Sequence, residues 1–208
     1  MYIPAAFAES DLTRMHDFIE QYSFGLIVSQ VDGQMFASHL PFLLKKTGGP
    51  HGCLVGHMAR LNPQWEQVSG QKVLAIFSGP HTYISPTWYD AEQVVPTWNY
   101  TAVHVYGRVQ IIEDQDALLE IVQESVRVYE QGMRQPWTFD ASGIFVKRLL
   151  TQIVGFRIEI DEIEGKWKLN QNQPVERRKK VIRALREQGG ENAEAIAAVM
   201  QAMLPAED

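Results

Sequence analysis

The spacing of apolar residues changes along the chain and predicts where helices and strands lie. Between Leu12 and Tyr22 apolar residues recur every three or four positions, and Ser10 can cap the start, so we predict an amphipathic helix. Further on, short β-branched and aromatic runs are interrupted by Gly, Pro, Asn and Asp, as is typical of strands. These runs predict strands at residues 24–30, 35–44, 52–58, 72–78, 83–85, 96–112 and 153–160. The helical spacing returns at residues 63–68, 114–131, 143–150, 175–186 and 191–204.

The predicted strands follow one another closely, and this limits how they can pair. Asp32-Gly33 is a hairpin signal between the first two strands, and Pro41 indicates an edge or a bulge in the second. The connections lack the long helical crossovers that parallel pairing needs, so we predict antiparallel pairing. The expected fold is therefore mainly β: an antiparallel, closed or nearly closed β-barrel with packing helices.

The end of the chain differs from the rest in charge. Residues 170–174 break the pattern, so we predict a barrel domain at residues 1–173 and a C-terminal helical hairpin at residues 174–208. The 208 residues carry a formal net charge of −6, and the basic block 174–190 is cancelled by the acidic block 191–208. The basic helix 175–186 is typical of phosphate binding, which makes DNA a candidate partner. A solvated hairpin whose charged arms attract each other, or another subunit, explains the same pattern.

Several classes of protein and site are not expected. The single cysteine, Cys53, excludes an internal disulfide and a cysteine zinc site, and it fits a reducing, cytoplasmic environment. The start has no signal-peptide pattern, and no long apolar run predicts a membrane span. The six histidines lack metal-ligand spacing, so we predict no metal site. No Walker loop, dinucleotide fingerprint or nucleophile elbow occurs, so nucleophilic catalysis has no support from the sequence.

The densest group of aromatic residues is a candidate ligand site. Seven of them lie between Phe77 and Tyr106. In an extended strand, Trp98 and Tyr100 lie on one face and Asn99 lies on the other. Cross-strand packing inside a barrel explains this aromatic face. A second explanation is that the rings form the walls of a site for a planar ligand.

Two polar clusters are candidate contacts for a phosphate or for the edge of a ring. In residues 56–63, a glycine permits close backbone approach, and His57 and Arg60 bring donor groups just before a helix start. An ordinary strand-to-helix turn with a solvated Arg60 is the alternative. Residues 166–172 hold two lysines, a tryptophan and three side-chain amides, which suit ligand contacts or the capping of the next helix.

Several of these stretches together are similar to one known family. They are Met1–Pro4, Gly79–Tyr89, Val95–Tyr100, Val103-His104, Tyr106-Gly107, Trp167–Leu169 and Gln171-Asn172. The run Pro96-Thr97-Trp98-Asn99-Tyr100 is the most specific of them. On these residues the sequence resembles the PaiB family of FMN-binding negative transcriptional regulators, and the resemblance covers nearly the whole chain.

The resemblance implies a fold, a cofactor and a role. The fold would be an FMN-binding split β-barrel, related to the pyridoxamine-phosphate oxidase and flavin reductase folds, in a homodimer with flavin at the subunit interface. The role would be that of a repressor with flavin as ligand or redox sensor, and an FMN-dependent oxidoreductase or flavin reductase is the alternative. For the flavin it implies His57, Arg60 and Asn62 on the phosphate side, Trp98 and Asn99 on the isoalloxazine side, and Lys168, Gln171 and Asn172 from the C-terminal segment.

Overall fold

The computed structural model describes residues 1–205, and within them it has eight strands and six α-helices. The strands are β1 (Ala8–Glu9), β2 (Phe24–Val31), β3 (Gln34–Pro41), β4 (Leu43–Lys45), β5 (Cys53–Ala59), β6 (Lys72–Ile84), β7 (Thr97–Ile112) and β8 (Ile153–Lys168). The helices are α1 (Leu12–Gln21), α2 (Gln64–Val68), α3 (Gln115–Glu130), α4 (Ile144–Leu150), α5 (Val175–Gln188) and α6 (Glu191–Ala202). Short 3-10 helices cover Ala5–Phe7 and Pro86–Tyr89. In this described part of the chain, no helix is both long enough and apolar enough to cross a membrane.

The strands form one sheet in the order β3-β2-β6-β7-β8-β5-β4, and β1 pairs with β8 outside this path. The pairs β1–β8, β2–β3, β2–β6, β4–β5 and β5–β8 are all antiparallel. The predicted mainly β, antiparallel fold is therefore confirmed. The path ends at β3 and β4, so the sheet is not closed, which agrees with a split barrel and excludes the fully closed form of the prediction.

Three predicted strands differ from the structure in where they begin, end or are interrupted. The strand β6 runs from Lys72 to Ile84 through Gly79-Pro80, where the sequence predicts two separate strands. The strand β8 continues to Lys168, eight residues beyond the predicted end at Ile160. Its second half is exposed or half-buried up to Glu164 and buried at residues 165–167, where pairing with β1 keeps the chain extended. The predicted strand 35–44 is interrupted at Phe42, whose N–H donates to the Ser23 carbonyl (2.9 Å), so that β3 and β4 are separate strands.

The chain divides into two compact units. The first unit comprises Met1–Asp11, Ser78–Val103 and the chain from Glu164 onward, and the second comprises Leu12–Phe77 and His104–Ile163. The C-terminal helices therefore belong to the same unit as the ends of three long strands. The predicted boundary between residues 173 and 174 follows another division and stays a prediction. The last residues of the predicted hairpin, 206–208, lie outside the described residues.

Each unit has its own buried core. In the second unit the Phe42 ring packs edge-on against Phe77 (5.3 Å between centroids) and Phe156 (5.7 Å). Gly107 lies so close to a neighbouring strand that a Cβ would be 2.1 Å from the Glu159 carbonyl oxygen, which excludes any larger residue. In the first unit α5 packs on α6, and their apolar faces bury residues such as Leu185. The two cores hold the strand ends and helices that carry the polar residues described next.

Candidate functional site

The first unit contains a polar pocket at the end of β8. Its volume is about 260 Å³, and it is lined by residues that include Tyr89, Thr97, Lys168, Asn170, Asn172 and Arg177. We call it the lysine pocket. It is built from the loop after Pro86–Tyr89, the start of β7, the turn after β8 and the first turns of α5. Val94 and Val95 form an aliphatic part of the pocket wall. The pocket therefore combines donors and cations with a small apolar surface.

Lys168 is half-buried in this pocket. Its Nζ donates to the Trp98 carbonyl (2.5 Å) and to the Thr97 hydroxyl, and it lies 5.9 Å from the centre of the Phe7 ring. Burial lowers the pKa of Lys168, and the charge of nearby Lys166 lowers it further. Because both effects disfavour the ammonium, a bound anion would restore the balance of charge around it. The lysine is thus placed to receive a negative group.

The turn after β8 is held by its own side chains. Gln171 closes it, since its Oε1 accepts from the Leu169 N–H (2.7 Å) and its Nε2 donates to the Trp167 carbonyl. Asn170 has a positive φ of 62°, a conformation that Asn adopts more readily than most residues. Its Nδ2 donates to the Tyr89 hydroxyl (2.8 Å), which fixes the turn to the opposite wall of the pocket. Gln171 therefore shapes the pocket through backbone contacts, and Asn172 is exposed at its rim.

Arg177 brings a second cation to the lysine pocket. It lies in the first turn of α5, and its Nη1 donates to Gln173 Oε1 (3.2 Å). Within residues 1–205 the other guanidinium nitrogens, Nε and Nη2, have no hydrogen-bond partner. Burial raises the pKa of the neighbouring Tyr89 hydroxyl, which keeps that group neutral and able to donate. Arg177 and Lys168 together give the pocket the donor set that suits a phosphate.

Three aromatic rings lie next to this cationic region. The Trp98 ring packs against His81 (6.3 Å between centroids) and edge-on against Tyr83 (6.1 Å, 71°). Tyr83 and Trp98 are 44% and 55% exposed, so their ring faces are available to a ligand. These rings do not line the lysine pocket, but the backbone carbonyl of Trp98 accepts the Lys168 bond, which places residue 98 beside it. Asn99 points to the other face of β7, where its buried Nδ2 donates to Met200 Sδ (3.4 Å) and its Oδ1 has no partner within residues 1–205.

The second unit holds the predicted residues of the 56–63 cluster. Arg60 uses all three guanidinium nitrogens: Nη1 pairs with Glu113 (2.8 Å), Nε donates to the Thr151 carbonyl (3.2 Å) and Nη2 donates to the Ile153 carbonyl (3.3 Å). Asn62 precedes α2, and its Oδ1 accepts from the Gln64 N–H (3.0 Å). Both side chains thus hold a strand-to-helix turn. The phosphate role expected for Arg60 and Asn62 would require these bonds to be exchanged, and it stays a prediction.

His57 lies on β5 among apolar side chains of the second unit, including Leu150 and Ile153. Burial lowers the pKa of His57, so its imidazole is predominantly neutral near pH 7. A neutral ring is a poor partner for a phosphate dianion. The structure therefore places His57 in surroundings unlike those of Lys168, and its expected flavin contact also stays a prediction.

The structure groups the predicted residues in two sets. Trp98, Lys168 and Asn172 come together in the first unit, and His57, Arg60 and Asn62 lie along one strand and turn of the second. Sequence reasoning missed Arg177 and Tyr89 as pocket residues. The signal for Arg177 was present in the basic run 177–180, where Arg178 is buried and donates to the Met203 carbonyl (2.8 Å). Arg177 and Arg178 are neighbours, and only their positions around the helix decide that Arg177 lines the pocket while Arg178 is buried.

The residues of the first unit fit the flavin mononucleotide that the sequence resemblance implies. FMN has a flat aromatic ring system and a terminal phosphate. The exposed Tyr83 and Trp98 rings suit the first, and Lys168 and Arg177 suit the second. A volume of about 260 Å³ accommodates only part of such a molecule, so the phosphate end is the part that this pocket suits.

Solved structures of low sequence identity share the fold. A flavocytochrome, Anf3 from Azotobacter vinelandii, aligns with a TM-score of 0.60 at 13% identity, over 77% of this chain and 69% of the other. An FAD- and haem-binding protein from Mycobacterium smegmatis aligns with a TM-score of 0.58 at 13% identity, over 88% and 80%. These similarities confirm the split-barrel fold.

Sequence relatives identify the family. The protein is 36% identical over 203 residues to the "Protease synthase and sporulation protein PAI 2" of Bacillus subtilis, which covers 97% of both chains. An uncharacterised protein of Emericella nidulans is 28% identical over 97% of this chain and 96% of its own length. A family model described as "Putative FMN-binding domain" matches residues 1–162. The chain therefore belongs to this FMN-binding family, as a PaiB-like split-barrel flavoprotein whose cofactor is FMN.

Proposed function

We propose that the protein is a negative transcriptional regulator whose DNA affinity responds to FMN bound at the lysine pocket. In this proposal Lys168 and Arg177 hold the phosphate, and Asn172 donates from the rim. Trp98 lies against the isoalloxazine ring, and FMN supplies a centre that accepts and returns electrons. The relative from Bacillus subtilis, named for protease synthesis and sporulation, supports a regulatory role.

One observation carries this proposal: α5 belongs both to the lysine pocket and to a basic surface. Arg177 lines the pocket, while Arg183 and Arg186 are exposed further along the same helix. Arg183 and Arg186 also line a groove of about 390 Å³ with Lys179. A change in how Arg177 is engaged would therefore act on the helix that carries the candidate phosphate contacts for DNA. This links a flavin signal to a nucleic-acid surface through one rigid element.

The proposal includes a homodimer in the cytoplasm. The family resemblance supports the dimer, and the single buried cysteine, Cys53, fits a reducing compartment. Sedimentation equilibrium across protein concentration tests the dimer, and cell fractionation tests the location. A monomer at all concentrations or recovery outside the cytoplasm would overturn these two parts.

The flavin part is tested by titration of the purified protein with FMN and with riboflavin. We expect FMN to bind at least about tenfold more tightly, because the phosphate forms charge-assisted hydrogen bonds that riboflavin lacks. Arg177→Gln should remove much of this preference. Lys180→Gln is the matched control, because Lys180 lies one turn along α5 and pairs with Asp90 outside the pocket. Equal losses in both variants, or equal affinity for both flavins, would refute the phosphate site.

The regulatory part is tested with duplex DNA from the region upstream of the protein's own gene. We expect binding that weakens steeply with salt and differs between oxidised and reduced FMN-loaded protein. The double substitution of Arg183 and Arg186 by Gln should reduce the salt slope by about 2, and Lys72→Gln in the second unit is the control. Absence of DNA binding would refute direct regulation. Rapid NAD(P)H-dependent bleaching of FMN with turnover of a small substrate would favour the oxidoreductase instead.

A further inference from the structure

The second unit contains an apolar pocket that the proposed function does not use. Its volume is about 350 Å³, within the range of small-molecule sites. Three aromatic residues, Trp137, Phe139 and Phe145, form part of its lining with aliphatic residues of α3, α4 and β8. None of the residues that line it is Asp, Glu, Lys or Arg. We call it the aromatic pocket.

The wall of the aromatic pocket is ordered by polar contacts outside it. The Trp137 and Phe139 rings stack at 5.4 Å with 22° between their planes. The Trp137 N–H donates to Glu130 Oε2 (2.8 Å) at the end of α3, and Asp140 accepts from the Ser142 N–H (2.9 Å). These bonds fix an irregular segment so that its rings form a surface. The Trp137 ring remains largely accessible at 58% exposure, whereas Phe139 is half-buried.

Two polar side chains line the aromatic pocket, and they differ in what they can offer. Gln152 Nε2 already donates to the Thr151 hydroxyl (3.0 Å). His57 has no hydrogen-bond partner for either ring nitrogen within residues 1–205. An imidazole in such a place has one donor and one acceptor to offer when neutral. The pocket therefore has extensive apolar walls and few polar groups, among which His57 has both ring nitrogens without a partner within residues 1–205.

We propose that the aromatic pocket is a second ligand site, which binds a small, uncharged, planar aromatic molecule carrying one hydrogen-bonding group. Flat rings would pack against Trp137, Phe139 and Phe145, and the polar group would meet His57. A charged ligand is disfavoured because its charge would lose water without gaining a partner. No Lys or Arg lines this pocket to hold the phosphate of FMN, so we assign the site to a ligand other than FMN, and the assignment does not depend on the proposed flavin pocket.

The test uses calorimetric titration of the FMN-loaded full chain with N-phenyl-1-naphthylamine, an uncharged aromatic amine. The matched ligand is 1-anilinonaphthalene-8-sulfonate, which has the same rings and an added negative charge. We expect saturable, one-to-one binding of the amine and at least about tenfold weaker binding of the sulfonate. Equal binding of both would indicate general adsorption to exposed apolar surface and would overturn the proposal.

Two substitutions on α4 locate the binding. Phe145→Ala should raise the dissociation constant of the amine about tenfold through lost ring contact. Ile144→Ala is the control, because Ile144 is 87% exposed on the same helix and does not line the pocket. Both positions are exposed enough that folding should be retained, and unfolding curves check this. Equal effects of the two variants would overturn the proposal.

Two competing occupants give different results in the same experiment. If the flavin ring occupied the aromatic pocket, apo protein would bind the amine and FMN would displace it. If a second copy of the chain covered the pocket, the number of available sites would fall as protein concentration rises. We expect neither effect, and either one would overturn the assignment of a separate small-molecule site.

Discussion

The lysine pocket holds its titratable groups among polar acceptors, whereas the aromatic pocket holds its titratable group among apolar side chains. The lysine pocket surrounds two cations with neutral acceptors and leaves Arg177 partly unpaired, so its donors favour an anion. The aromatic pocket surrounds one imidazole with apolar side chains, so its lining favours a neutral ligand. The lysine pocket lies at the end of β8, whereas the aromatic pocket lies beside α3, α4 and the start of β8. The two ends of one strand therefore contribute to pockets whose lining residues favour different kinds of ligand.

The largest expected effect tests whether the lysine pocket holds the phosphate. The double variant Lys168→Gln with Arg177→Gln should weaken FMN about a hundredfold, since two charge-assisted hydrogen bonds are lost. Riboflavin affinity should change less than about threefold, and the aromatic amine should bind the second unit as before. Calorimetric titration with the three ligands measures all of these. A parallel loss for riboflavin would show that the variant damages the unit and not the phosphate contacts.

The second prediction concerns Arg60, which makes three contacts within the second unit. Arg60→Gln should lower the free energy of unfolding by about 1–2 kcal/mol, because two backbone carbonyls and Glu113 lose a donor. The ratio of FMN to riboflavin affinity should stay the same. Denaturant unfolding and flavin titration measure the two quantities, and Arg108→Gln, which removes a single bond to the Gly70 carbonyl, is the control. A selective loss of FMN affinity would assign the phosphate contact to Arg60 and would contradict the phosphate contacts proposed for the lysine pocket.

A smaller effect of pH should distinguish the imidazole of the aromatic pocket. Burial lowers the pKa of His57 from its ordinary value of 6.5, so the unfolded chain binds a proton more readily than the folded chain. Stability should therefore fall as pH decreases below 6.5, by an amount under about 1 kcal/mol down to pH 5. His57→Gln should reduce this fall. An unchanged pH profile in His57→Gln would show that the ring is not buried as described.

The smallest expected effect is at the rim of the lysine pocket. Asn172 is exposed, so its amide competes with water for any ligand. Asn172→Ala should weaken FMN about threefold, because it removes one solvent-exposed hydrogen bond to the phosphate, and should leave riboflavin unaffected. The same titrations measure it. A loss as large as that of Arg177→Gln would mean that the rim, and not the α5 cation, makes the main contact.

Much of the fold could be predicted from local pattern. The strand 97–112 and the helices α1, α2, α5 and α6 start within a residue or two of their predicted positions, because alternation and helical spacing record which side of each element is buried. The alternation of Trp98 and Asn99 was also predicted. The end of β8 was not predicted, because its charged residues do not show a strand pattern and the strand depends on pairing with β1.

The candidate site was less predictable, because its contacts join residues far apart in the chain. Arg60 bonds to Glu113 and to the backbone carbonyls of residues 151 and 153, and no local sequence pattern predicts these partners. Similarly, the aromatic pocket depends on rings at residues 137–145, in and beside a segment without periodic spacing. The residue types were informative, but their partners are decided by tertiary packing.

The late end of β8 matters for anyone who divides this protein into parts. The family match ends at residue 162, inside β8, whereas the strand continues to Lys168. A fragment cut at that point would keep Arg60 and the aromatic pocket but would lack Lys168, Arg177 and both C-terminal helices. A search or an expression experiment confined to the matched region would therefore study a flavoprotein without the residues that we propose distinguish FMN from riboflavin.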